Sequence, residues 1–441
     1  MKNTIIAAIV LILCSGCSHY AHRDKGGECV ITGGNYCIGH NITIESDNAN
    51  LAALTDQEIV NYGEYSLSFI ELDDQGHQFS RERTIEVLDF VKKQGELKDA
   101  AGEDIGQDII LFIHGWHHNA GYYEIGDTDA KYVEDGNIIS FRETLKNIAY
   151  FKKKAKSKRK TTGIYIGWRG ESIDIPGVNV FTFYDRKNGS INVGNGDVPM
   201  VLDEIEQIRN DQNNSRLISI GHSFGGSVLF TAIQQKLKRA ASKKTIGNKE
   251  STVKFGDLAI LANPAIENTQ YASLHYSIEE RARNHPEYYN KPQRPNVMVL
   301  MSEADMATKV AFKIGRSLGL IFEQYKDVAR IDRNGNEIIY NQTEMAMSAL
   351  GHYEPFVTHT LSKEGRADNS CSPMYGHSRE LAWDQTYPES NVTIEHQNRS
   401  PRFGPIWIVS VDEELIGGHN EIFGTQVHCF VKELILDVAT K

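Results

Sequence analysis

The sequence predicts an α/β protein: a doubly wound, mostly parallel sheet with long lid or cap insertions. Two patterns in the residues and one bound from length predict it. Compact apolar runs recur along the chain, and segments of helical periodicity lie between them. Continuous apolar runs suit strands buried on both faces, and their alternation with helices is the signature of a parallel sheet covered on each side. With 441 residues, 40% of them hydrophobic and 24% charged, the chain has enough apolar material for one large domain or two ordinary ones. No internal repeat is present.

In chain order, a polar stretch reaches about Thr55, and Ser66 to Leu72 then reads as a strand. A helix is expected from about Arg81 to Lys93, where Ile85, Leu88 and Val91 recur at helical spacing. Further strands are expected at Ile109–Ile113, Gly163–Trp168, Leu217–Ile220, Leu258–Leu261, Val297–Met301 and Ile406–Val411. A last apolar helical run covers Val427 to Val438. Three long insertions separate these elements, at about 120–140, 170–198 and 307–405, the last with a hairpin-like turn at Asn334-Gly335. Loops of this length in a compact domain commonly act as lids or caps. The basic run Lys152 to Lys160 reads as the solvated end of a helix, where cations complement the helix dipole.

The chemistry centres on Gly221-His222-Ser223-Phe224-Gly225-Gly226. Strand-like sequence precedes it and helix-like sequence follows, so Ser223 falls on the turn between the two. Glycines at 221 and 225 let strand and helix approach closely there, and the serine hydroxyl is lifted clear of the backbone. The motif resembles that of lipases and esterases of the α/β-hydrolase superfamily, whose elbow commonly reads Gly-His-Ser-x-Gly-Gly.

The resemblance implies a catalytic order of serine, acid, histidine. Serine is a poor nucleophile at neutral pH and needs a base, which in turn needs an acid to orient it. Asp305, in Ser302-Glu303-Ala304-Asp305 just past the strand Val297–Met301, stands where that superfamily carries its acid, with Glu303 as the alternative. Among 16 histidines, His419 follows the last strand and precedes the last helix, the superfamily's position for the base. His352, His359 and His377 compete with it from the third insertion.

An oxyanion needs two hydrogen-bond donors. The resemblance implies the backbone amide of Phe224 and, from the loop His114-Gly115-Trp116-His117-His118-Asn119, that of Trp116. A metal pair at His117 and His118 is not expected, because adjacent residues diverge and no third ligand is evident. No metal or organic cofactor is implied. The strings Phe112-Ile113-His114-Gly115-Trp116, Gly167-Trp168-Arg169-Gly170 and Ala262-Asn263-Pro264-Ala265 are similar to those of a little-characterised branch of hydrolase-like proteins, over about Ser66 to Val438.

The amino terminus reads separately. Lys2, the apolar run Ile5–Leu13 and Cys14-Ser15-Gly16-Cys17 make residues 1–17 a signal peptide, too short to span a bilayer comfortably. Its end resembles a bacterial lipobox with Cys17 as the lipidated residue, although Cys14 stands where such motifs usually have Leu. Ser18 fits sorting to the outer membrane, and periplasmic or secreted release is the alternative. Residues 18–60 then form a tether and extension, and 61–441 the hydrolase domain. Cys29, Cys37, Cys371 and Cys429 remain as disulfide candidates for an oxidising compartment, with three possible connectivities and Cys29–Cys37 plus Cys371–Cys429 preferred. An isolated buried thiol is the other reading of Cys429. A net charge of −11 argues against nucleic acid as the main partner.

The expected function is therefore a serine hydrolase acting on a small-molecule ester or lipid through an acyl-enzyme. An acyltransferase or amidase using the same residues, and a non-catalytic surface-binding lipoprotein, are the alternatives. Oligomeric state is left open.

Overall fold

Apolar runs of the sequence line up as neighbours in one twelve-stranded sheet. The computed structural model describes residues 41–43, 59–116, 118–125, 131–169, 179–242, 253–289, 294–310, 325–364, 385–387, 390–401, 403–423 and 425–439. The first described elements are β1 (Asn41–Thr43), β2 (Ile59–Asn61), β3 (Tyr65–Glu71), α1 (Arg81–Gly95) and β4 (Gln107–Ile113). A hairpin follows, β5 (Tyr122–Ile125) and β6 (Lys131–Glu134), then α2 (Gly136–Lys154) and β7 (Lys160–Gly167). Helices α3 (Asn179–Asn195) and α4 (Val198–Asn210) lead to β8 (Arg216–His222), α5 (Phe224–Ser242), β9 (Leu258–Ala262), α6 (Asn268–Asn284) and β10 (Val297–Ser302). Next come the hairpin β11 (Val328–Ile331) and β12 (Glu337–Tyr340), the short α7 (Gln342–Ala346), and β13 (His359–Lys363), β14 (Gln385–Tyr387) and β15 (Val392–His396). Strand β16 (Ile406–Val411) and α8 (Thr425–Ala439) close the chain.

The sheet order is β1-β2-β3-β7-β4-β8-β9-β10-β16-β13-β15-β14, and every pair from β3 to β13 is parallel. Side chains alternate across a strand, so β4 feeds two cores. Ile109, Leu111 and Ile113 pack with Val87 of α1, Leu202 of α4, Val228 of α5 and Leu274 of α6. Ile110 and Phe112 pack on the other face with Phe141 and Leu145 of α2 and Phe430 and Leu434 of α8. Both faces being apolar is why these strands read as continuous runs.

The structure departs from the sequence reading in three places. Two short strands from the segment read as a tether and extension, β1 and β2, continue the sheet beyond β3. Three strands from the third insertion also join the sheet: β13 pairs with β16, and β15 and β14 follow it antiparallel. These strands alternate Leu361, Val392 and Ile394 with polar neighbours such as Thr360, Thr393 and Glu395, so they lack the continuous apolar signal. The Asn334-Gly335 turn does join a hairpin, β11 to β12, with Gly335 at φ +86°.

The basic run is the third correction. Lys152, on the last turn of α2, is buried rather than solvated, and it pairs with the buried Asp108 at the start of β4. Arg159 reaches the same carboxylate at 2.6 Å. Lys153 and Lys158 do lie outside, paired with Glu64 and Asp99. Among the described residues no helix is long and apolar enough to cross a membrane.

Candidate active site

Strand β8 ends at His222 and α5 starts at Phe224, leaving Ser223 alone at the junction with φ +54°. That left-handed conformation is unfavourable for a residue with a side chain, by about 1–3 kcal/mol, and persists only where the surroundings enforce it. Here close packing enforces it. A Cβ on Gly221 would sit 2.6 Å from the Gly225 carbonyl oxygen, and one on Gly225 would sit 2.1 Å from that of Ile113.

Ser223, His419 and Asp305 come from three loops at the carboxyl end of the parallel strands and meet in one relay. Ser223 Oγ lies 2.7 Å from His419 Nε2, and His419 Nδ1 lies 2.8 Å from Asp305 Oδ2. An ionised carboxylate can only accept, so Nδ1 carries the proton and donates it. The Nε2 lone pair is then free to accept from the Ser223 hydroxyl. Asp305 is fully buried, and burial alone pushes its pKa up. The hydrogen bond from His419, with the Thr308 amide at 3.1 Å, outweighs that push and holds it below the usual carboxylate value. The carboxylate is thus held ionised beside His419, whose side chain keeps 17% exposure.

The loop after β4 lies against the elbow. A Cβ on Gly115 would come within 2.9 Å of Ser223 Cβ, and the Trp116 ring meets Phe224 edge-on at 6.2 Å. His114 is buried beneath this loop. Its Nε2 accepts the Trp168 amide at 3.0 Å, so its Nδ1 carries the hydrogen and donates to the Gly115 carbonyl at 2.9 Å. Burial holds the ring neutral, with its pKa pushed down to about 4. The Gly115 carbonyl and the Trp116 amide belong to one peptide unit, and no peptide bond here is cis. In a trans peptide the two point opposite ways, so His114 turns the Trp116 N–H away from itself.

The competing residues are occupied elsewhere. Glu303 Oε1 accepts from Ser410 Oγ at 2.9 Å. His359 is buried in β13, stacked on Trp407 at 4.1 Å, and His352 lies 3.1 Å from Thr308 Oγ1. His118 pairs with Asp135 at 2.9 Å, and among the described residues no group of three His, Cys, Asp or Glu is placed to hold a metal. Cys429 is buried on α8. Cys17, Cys29, Cys37, Cys371, His117 and His377 lie outside the described residues. The sequence reading did not single out Thr308 or the tautomer of His114; Thr308 falls one helical turn after Asp305, a spacing that could have flagged it.

No curated protein matches the sequence. Among solved structures, phospholipase PlaB from Legionella pneumophila in complex with thio-NAD matches at 16% identity and a TM-score of 0.19, covering 46% of this chain and 39% of that one. This chain therefore spans well under half the length of that phospholipase. The family described as "Alpha/beta hydrolase of unknown function (DUF900)" matches residues 91–353, more than half of the chain and including both Ser223 and Asp305. The chain belongs to that family of α/β-hydrolases.

Proposed function

We propose that this α/β-hydrolase cleaves carboxylic esters or lipids through an acyl-enzyme on Ser223. The observation that carries the reading is the continuous relay of 2.7 and 2.8 Å from Ser223 through His419 to a buried carboxylate. In the proposed cycle His419 takes the hydroxyl proton as Ser223 Oγ bonds to the substrate's carbonyl carbon. The resulting oxyanion is held by the amides of Trp116 and Phe224. His419 then returns the proton to the leaving alcohol as the ester bond breaks, and water attacks the acyl-enzyme by the same route in reverse.

A p-nitrophenyl ester series on the wild type, Ser223→Ala and Asp305→Asn tests this. Ser223→Ala is expected to lower kcat by at least about a thousandfold, and Asp305→Asn by a comparable factor through loss of the correct imidazole tautomer. Hydrolysis unchanged in Ser223→Ala overturns the mechanism.

The same reading places the enzyme outside the cytoplasm, acylated on Cys17 and tethered to the bacterial outer membrane, with disulfides Cys29–Cys37 and Cys371–Cys429. Support comes from the lipobox-like end of residues 1–17 and the even number of later cysteines. Intact mass and non-reducing peptide maps of the mature protein are expected to start at a diacylglyceryl Cys17 and to contain both cross-links. A mature chain starting at another residue rules out the anchor.

A further inference from the structure

The turn Ala262-Asn263-Pro264-Ala265 after β9 takes no part in the relay, yet it touches all three loops that carry it. The Ser223 amide donates to the Ala262 carbonyl at 3.0 Å, and the Ser223 carbonyl accepts from the Ala265 amide at 3.0 Å. Between those two bonds Asn263, fully buried, reaches the other loops. Its Nδ2 donates to the carbonyl of His419 at 2.9 Å, and its Oδ1 accepts from the amide of Ser302 at 2.9 Å. A carbonyl requires a donor and an amide requires an acceptor, so only this orientation of the side-chain amide satisfies both. Asn263 itself sits at φ +42°, a left-handed conformation that asparagine tolerates better than most residues. A strained, buried polar residue beside a reactive site is where positioning is to be sought.

A second donor meets the same carbonyl. His222 Nε2 lies 3.1 Å from the His419 oxygen, and burial holds that ring neutral, its pKa pushed down to about 3. The N–H therefore persists at working pH without adding a charge beside His419. His419 stands on the loop between β16 and α8, outside any helix or strand. Its ring must satisfy both relay bonds at once, and a misplacement of about 1 Å can lower a rate about a hundredfold.

We propose that Asn263 is the positioning residue of the triad, joining the acid loop to the base loop and, with His222, clamping the backbone carbonyl of His419. The inference rests on the serine-hydrolase reading above.

Asn263→Asp keeps the size, the acceptor for Ser302 and tolerance of the left-handed backbone, and replaces the donor to His419 by a charged acceptor. Asn263→Gly relieves the backbone and removes both bonds. His222→Leu deletes the second donor, and His222→Gln restores one. On the full chain, p-nitrophenyl butyrate kinetics, fluorophosphonate labelling rates and thermal melts are measured together.

Asn263→Asp and Asn263→Gly are expected to lose about 10- to 100-fold in kcat and labelling rate, with KM within about twofold. His222→Leu loses less, and His222→Gln recovers most of that loss. Asn263→Asp combined with His222→Leu is expected to cost little more than the worse single change, since both act through one carbonyl. Folded Asn263 variants with unchanged kcat overturn the proposal, as do losses that multiply as independent sites. If the Asn263 variants do not fold, the His222 pair decides: loss with rescue supports the clamp, and no change in either overturns it. A wild type inert to ester and probe sinks the hydrolase reading and this inference with it. An active wild type with unmoved variants sinks this inference alone.

Discussion

Strand β4 ends in a buried polar cluster at both termini, and the two are built on opposite principles. At its amino end Asp108 lies between Lys152 and Arg159, and Lys152 also donates to the Lys160 carbonyl and to Thr161 Oγ1, each at 3.0 Å. Burial lowers the Lys152 pKa while the Asp108 carboxylate opposes that push. At the carboxyl end two buried rings beside the relay, His114 and His222, are neutral. His114 matches its donor to Gly115 and its acceptor to Trp168, and His222 donates to His419. The difference has a physical reason. Buried charges need counter-charges to balance them, whereas a neutral ring needs only a matched donor and acceptor.

Lowering the pH separates the two ends most strongly. Burial pushes the pKa of His114 and His428 down to about 4, and those of His222, His275 and His359 down to about 3. In the unfolded chain these rings titrate near about 6.5. Between the two values the unfolded state binds protons that the folded state refuses, so stability falls as the pH drops below about 6.5. Each ring contributes a slope of about 1.4 kcal/mol per pH unit, and together they amount to several kcal/mol per unit near pH 5. Asp305 works in a lower window. Its depressed pKa adds stability that is present above the ordinary carboxylate value and is lost only as pH falls through the folded one. Thermal melts from pH 7.5 to 4.5 are expected to show a steep fall below pH 6. A flat Tm there would contradict the neutral state of these five buried rings, of which His114 and His222 lie beside the relay, His275 on α6, His359 on β13 and His428 on α8.

What the sequence made legible follows the same division between local and distant causes. The strands at the centre of the sheet announce themselves because both faces of each are apolar, as the split of Ile109, Leu111 and Ile113 from Ile110 and Phe112 demonstrates. Ser223 is legible because its strand, turn and helix are contiguous in sequence. Asp305 and His419 could be nominated from their places after particular strands, and the structure brings both to Ser223. Asn263 could not be read this way: its partner His419 lies 156 residues on, and nothing local marks the contact. The burial of Lys152 escapes a local reading for the same reason. Its helix predicts a solvated lysine, and only the approach of β4 supplies the carboxylate that buries it.

A single carboxamide substitution sets the smaller test of the comparison. Asp108→Asn leaves Lys152 and Arg159 buried without a counter-charge, and breaking a buried pair in this way costs about 3–5 kcal/mol. Replacing all three residues together by apolar ones of similar volume is expected to be close to neutral, since the desolvation of every charge is then relieved. Denaturant melts should therefore separate the single from the triple variant, while ester kinetics at a temperature where both are folded stay at the wild-type level. The kinetic half of that expectation is the demanding one, because β4 runs directly from Asp108 to the loop of His114 and Gly115. A kcat that falls in step with stability would mean that the strand transmits strain along its length. The charged end would then be part of how His114 and Gly115 are held, and the two ends could no longer be treated as separate devices.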